Sequence, residues 1–175
     1  MASGDEIAHF GRWIPLEQAD DTPSQWIETE ELSVPNGPRP AYLLKLGSGV
    51  DAGFDMFGRI KNYSGGGMKV EGKVFFDTET GIATSQNLNF SLHDMNASED
   101  VTAAFTYFTS IVLIHPASTV NTLVPFSVNL SSASQDGVGN DDRIVLRCWT
   151  GVGSGGTGID GNMLIIPFTI ALREQ

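Results

Sequence analysis

The stretch Asn62-Tyr-Ser-Gly-Gly-Gly-Met-Lys-Val-Glu-Gly-Lys-Val-Phe-Phe76 decides the fold. Three glycines in a row mark a chain reversal, because glycine takes up left-handed backbone without steric cost. The residues that follow alternate with period two. Met68, Val70, Val74 and Phe76 fall on one face, and Lys69, Glu71 and Lys73 on the other. This is the pattern of a strand with one face on a core and the other toward water.

The same pattern recurs on both sides. Ala41–Leu46 is a first short strand, and Gly53–Ile60 places Phe54, Met56 and Ile60 on one face. Asn87–His93 repeats the alternation with Leu88, Phe90 and Leu92. Phe105–His115, Leu123–Leu130, Arg143–Thr150 and Asn162–Leu172 bring the set to eight, separated by turns rich in Gly, Asn, Asp and Ser. Only Asn96–Ala104 has a helical pattern, with Ser98 placed to cap it and Glu99 and Asp100 in its first turn. Eight antiparallel strands with long, uneven connections predict an all-β, eight-stranded antiparallel jelly-roll β-sandwich over residues 41–175. An up-and-down barrel would have shorter hairpins.

Residues 1–40 read differently. They hold eight acids against Arg12 and Arg39, a local balance of −6 out of the chain's −11. They also contain Trp13 and Trp26, two of the three tryptophans, and end in Val34-Pro-Asn-Gly-Pro-Arg-Pro40. Prolines so spaced fit neither a central strand nor a helix interior. The segment is expected to be an extended N-terminal arm. Phe10, Trp13, Ile14, Trp26 and Ile27 are too apolar for an inert tail and call for a surface: the domain's own, a neighbouring subunit's or a partner's.

Composition excludes several functions. Ten basic against 21 acidic residues argue against a nucleic-acid surface. No run approaches the roughly 18 apolar residues of a membrane helix, and the N-terminus lacks the basic start and apolar core of a secretion signal. Synthesis in a cytoplasm, with no membrane association, is the expectation. A single cysteine cannot build a disulfide framework, and Cys148 alternates with Ile144 and Leu146 as a buried thiol would. Gly151–Gly158 contains G-x-G-x-x-G, but a turn and a strand follow it where a dinucleotide site needs a helix. Asp136, Asn140, Asp141 and Asp142 are hard oxygen donors suited to Ca²⁺, yet their spacing is not that of an EF-hand, and a solvated turn is expected. His9, His93 and His115 stand far apart with no metal-binding spacing. The reading is of a non-enzymatic chain with no cofactor or metal.

Two stretches together carry a resemblance. The first is Asn62–Gly81. The second is Asp141-Asp-Arg-Ile-Val-Leu-Arg-Cys-Trp-Thr150, followed by Ile159–Glu174 with its Leu-Arg-Glu ending. They resemble small virion proteins of tailed bacteriophages, which share a glycine turn into an alternating strand, a late Asp-x-x-x-Leu-Arg strand and a similar tail. Leu88, Phe90 and Leu92 stand where that family often has a Gly-x-Val-x-Trp unit. The resemblance implies a jelly roll of the tumour-necrosis-factor type, usually trimeric, and a capsid decoration (cement) protein on the virion exterior. Its partner would be the major capsid protein of the same particle. Under this reading Val112, Ile114, Ile166 and Phe168 pack the homotrimer, and the arm's five apolar residues contact the capsid or a neighbour. The alternative is a tail or fibre head that binds a host receptor or glycan.

Overall fold

The computed structural model describes residues 4–15, 26–32, 39–46, 53–76, 84–95, 107–115, 123–150, 163–165 and 169–175. Among them are eleven strands: β1 (Glu6–Pro15), β2 (Trp26–Leu32), β3 (Arg39–Leu46), β4 (Gly53–Ile60), β5 (Met68–Phe76), β6 (Thr84–Asp94), β7 (Thr109–His115), β8 (Val124–Asn129), β9 (Arg143–Thr150), β10 (Met163–Ile165) and β11 (Ala171–Glu174). Every pairing is antiparallel, and among the described residues there is no α-helix, only 3₁₀ conformation at Ala133–Gln135 and at Thr169. The chain is all-β.

The alternation expected for β4 and β5 holds, whereas β6 is buried on both faces, with Asn89, Ser91 and His93 covered as well as Leu88, Phe90 and Leu92. Phe54, Met56, Ile60, Met68, Val70, Val74, Leu88, Phe90 and Leu92 are all buried in the core. The proposed helix at Asn96–Ala104 and the glycine run at Gly151–Gly158 lie outside the described residues.

Two differences from expectation have clear causes. The last strand is two strands. Met163–Ile165 pairs with Phe76–Val74 and Ala171–Glu174 with Glu71–Met68, so five residues of sequence separate the two strands where only Gly72 and Lys73 separate their partners on β5. Pro167 falls in this excess and has no N–H to donate to a ladder. The second difference is at the N-terminus. Residues 6–15, expected on the arm, form β1 and lie between β11 and β4 of the same chain, with Ile7 and Ala8 buried. Of the three surfaces the arm could take, this part takes the domain's own.

The sheet runs β8-β5-β11-β1-β4-β9-β6-β7, and a branch β10-β3-β2 leaves β5 beside β11. Along this path β8 and β6 are six positions apart, about 29 Å if the sheet were flat at about 4.8 Å per strand. Yet the rings of Phe90 in β6 and Phe126 in β8 stack at 5.5 Å. The sheet therefore doubles over, and its two halves, β1-β11-β5-β8 and β4-β9-β6-β7, face each other across one core. Thr109, at the start of β7, closes the far side: its Oγ1 accepts from the backbone N–H of Ser131 (2.9 Å) and donates to Oγ of Ser134 (3.0 Å). Successive strands of this set change halves at every step except β6 to β7.

Candidate interaction surface

Among the described residues, strand β7 ends the sheet path and pairs with β6 alone. Its sequence, Thr-Ser-Ile-Val-Leu-Ile-His, carries apolar residues on both faces and no Lys, Arg, Asp or Glu. Leu113 points into the core, whereas Val112 and Ile114 are 57% and 63% exposed. Register sets Val112 opposite Asn87, Ser110 opposite Asn89, and Asn89 opposite Trp149 of β9. Val112, Ile114 and Trp149 thus share the outer face of three neighbouring strands. Phe108 packs edge-on against Trp149 with ring centroids 5.3 Å apart, and it and Tyr107 remain more than half exposed just before β7. The result is an apolar, aromatic outer face on an edge strand.

Between β7 and β9 this face is held by polar ties. The Ser110 hydroxyl donates to Asn89 Oδ1 at 2.5 Å, and the Ser91 hydroxyl to the Tyr107 carbonyl at 2.6 Å. Farther along β6, His93 is buried with Nδ1 3.0 Å from Asp136 Oδ2, which also accepts from the Asp94 backbone N–H. Arg147 makes a two-pronged pair with Asp55, both contacts 2.8 Å, on the outer side of β9 and β4.

The oxygen donors gathered in sequence at 136–142 are separated in space. Asp136 serves β6, Asp141 pairs with Lys61, and Asp142 accepts from the Gly139 N–H at 2.6 Å. Asn140 receives the Tyr63 N–H at 2.7 Å and returns a bond to the Tyr63 carbonyl. This loop therefore anchors the turn before the glycines. The other side of that turn holds Glu174, whose buried carboxylate accepts from the Ser64 hydroxyl and from the N–H groups of Ser64 (3.1 Å) and Gly66 (3.2 Å). The Ser64 hydroxyl, then these N–H groups, hold the Glu174 carboxyl below its usual range despite its burial. Gly4 N–H donates to the Glu174 carbonyl at 2.9 Å and Gln175 N–H to the Gly67 carbonyl at 2.9 Å, so both ends of the described chain meet at the glycine turn.

Cys148 is fully buried, and burial pushes its thiol well up. Such a thiol packs and does not attack. His9 is exposed near Glu6, at 3.4 Å. Among the described residues no three His, Cys, Asp or Glu side chains converge as metal ligands would.

The residues expected to make contacts are distributed as follows. Phe10 is half-buried against the core and Ile14 is exposed on β1. Trp13 pairs through its backbone with Met56, and Trp26 and Ile27 with Leu44 and Leu43; their side chains lie outside what is described. β1 and β2 are five positions apart in the sheet, so the arm's residues sit on two separate strands. Val112 and Ile114 are brought together on the open face, while Ile166 and Phe168 lie outside the described residues. Tyr107 and Phe108 stand outside the set expected to contact a capsid or a neighbouring subunit, although Tyr107 is one of the aromatics the sequence offers to a core or an interface. The signal available was an aromatic pair next to a charge-free strand.

No protein-family model matches this chain, and no curated protein matches it either. Among the described residues no helix is long and apolar enough to cross a membrane.

Proposed function

We propose that this chain is a structural virion protein that binds and stabilises an assembled bacteriophage head as a homotrimer, a decoration or cement protein without catalytic activity. One observation carries the proposal: the open face of β7, an edge strand free of Lys, Arg, Asp and Glu among the described residues, where Val112 and Ile114, and Tyr107 and Phe108 just before it, remain exposed. Unguarded apolar edges invite pairing or covering, and a contiguous exposed apolar face marks an interaction site. The winding gives support of a second kind. Strands that change halves at every step but one are what a double-sheet jelly roll requires. In this reading Val112 and Ile114 pack between subunits. Cementing is then linkage, since a protein that binds only the assembled shell stabilises it by mass action.

The test is sedimentation of the purified full chain with and without capsids, alongside adsorption to host cells. A decoration protein pellets with shells and leaves cells bare. Adsorption to cells or glycans without shell binding would overturn this reading in favour of a fibre head.

A further inference from the structure

Strand register gathers arginines on one outer face of the molecule. On β4 the side chains of Phe54, Met56 and Ile60 are buried in the core, so Asp55, Phe57 and Arg59 point outward. Asp55 stands opposite Ile14 of β1 and Arg147 of β9, Phe57 opposite Arg12 and Val145, and Arg59 opposite His9 and Arg143. Residues directly opposite on antiparallel strands share a face, with Cβ atoms about 4.5–5.5 Å apart. Four of the chain's 10 cations thus lie on the outside of three adjacent strands, in a protein of net charge −11.

These cations are not equally matched. Arg147 is closed by its forked pair with Asp55. Arg59 Nε donates to the Asp141 carbonyl at 2.8 Å and lies 3.8 Å from that residue's carboxylate, which Lys61 approaches more closely. Glu6 stands beside His9 at 3.4 Å. Arg12 and Arg143 are exposed and join no ion pair among the described residues. Arg59 and Arg143 also face each other directly, which is destabilising for like charges. An anion set between them would reverse that cost.

We infer that Arg12, Arg59 and Arg143 receive the carboxylates of an acidic segment of another protein. A guanidinium matches a carboxylate fork to fork, and this same face already does so at Arg147 and Asp55. The surroundings select a protein segment among anions. Half-buried Phe57 lies between Arg12 and Val145, one row from the Arg59–Arg143 pair, and exposed Ile14 lies at the margin. Arginine beside aromatic and aliphatic area is the composition of protein interfaces. A nucleic acid binds through many phosphates at once and would meet the acidic remainder of the chain. A short acidic segment meets only the local excess, since charges beyond about 10 Å are screened at about 0.1 M salt. β6 separates this face from the apolar edge of β7, so the inference goes beyond the trimer contact and does not depend on it.

The experiment measures binding of a labelled oligoglutamate peptide to the full chain by fluorescence anisotropy, with heparin and inorganic phosphate as rival probes. The wild-type chain is expected to bind the peptide, and more weakly as salt rises. Arg12→Gln and Arg143→Gln should each weaken binding by about tenfold, the scale of one lost charge-assisted contact. Arg143→Lys keeps the charge without the fork and should recover part of the loss. The thermal midpoint separates a role in folding: Arg143→Gln removes the like-charge pair with Arg59 and should hold or raise it. A lower midpoint with peptide binding intact would make Arg143 structural and overturn the inference. So would a wild-type chain that ignores the peptide, or Gln variants that bind it as well as wild type does. Binding of heparin or phosphate through these arginines with the peptide refused would give the site to another class of anion. Self-association lost in Arg143→Gln, with no peptide bound by wild type, would make a second copy the occupant; either result overturns the partner inferred here.

Discussion

At Gly72 an added methyl group would lie 2.6 Å from Cζ of Phe126 and 3.2 Å from Cγ1 of Ile170. The Phe126 ring has nowhere to withdraw, because it is stacked on Phe90 across the core. Gly72→Ala should therefore lower stability by about 1–3 kcal/mol, the usual cost of overpacking, measured by urea unfolding. Glu174 answers a different question. Its folded pKa is lowered, chiefly by the Ser64 hydroxyl, so the stabilisation it confers is complete above the unfolded carboxyl value and is lost as pH falls through the folded one. Glu71, lowered first by its bond from Lys69, acts in the same direction. The thermal midpoint should fall on acidification below roughly pH 4.5, where an unfolded glutamate takes up its proton. Glu174→Gln should flatten that fall; an unchanged pH profile in the variant would mean that the cradle at Ser64 and Gly66 does not hold a charge.

Element by element, the regular strands were legible and the irregular ones were not. β4 and β5 alternate, and their apolar core residues follow from spacing alone, as do Leu88, Phe90 and Leu92 of β6, although Asn89, Ser91 and His93 on the other face of β6 are also buried. β1 hid because its pairing is interrupted twice, between Glu6 and Ala8 against β11 and between Phe10 and Arg12 against β4. The first irregularity lets the adjacent Ile7 and Ala8 both be buried, and Gly11 is the extra residue of the second. Period-two reading fails across a bulge. β2 hid behind its glutamates, since three acids in seven residues read as solvated chain. β10 and β11 merged because a single apolar run spans both sides of Pro167. Deletion of residues 1–15 should thus leave the chain insoluble or unfolded, as it would bare the edges of β11 and β4 and remove buried Ile7. On β7 the two faces should separate. Leu113→Ala should cost about 2–5 kcal/mol of stability, as for other buried aliphatics, whereas Val112→Lys should stay within about 0.5 kcal/mol and abolish self-association instead. Loss of trimer in the first variant with none in the second would reverse the assignment of the faces.

On the scale of the whole molecule, two halves of an antiparallel sheet close over one core, and several chemistry-bearing residues among those described serve structure. The carboxylates of the 136–142 loop hold three different neighbours, the lone thiol is buried, and the buried glutamate near the C-terminal end secures the glycine turn. Among the described residues, the apolar edge of β7 faces outward, with Val112 and Ile114 exposed. These two are the residues expected to pack the trimer that the resemblance implies. Tyr107 was legible as an aromatic open to the core or to an interface, and it is exposed; Phe108, its neighbour, carried no signal of its own. The most direct measurement is the native mass of the full chain by sedimentation, alone and mixed with purified shells. The account requires three times the chain mass in solution and co-sedimentation with shells. A species of one chain mass at every concentration, left in the supernatant when the shells pellet, would contradict it.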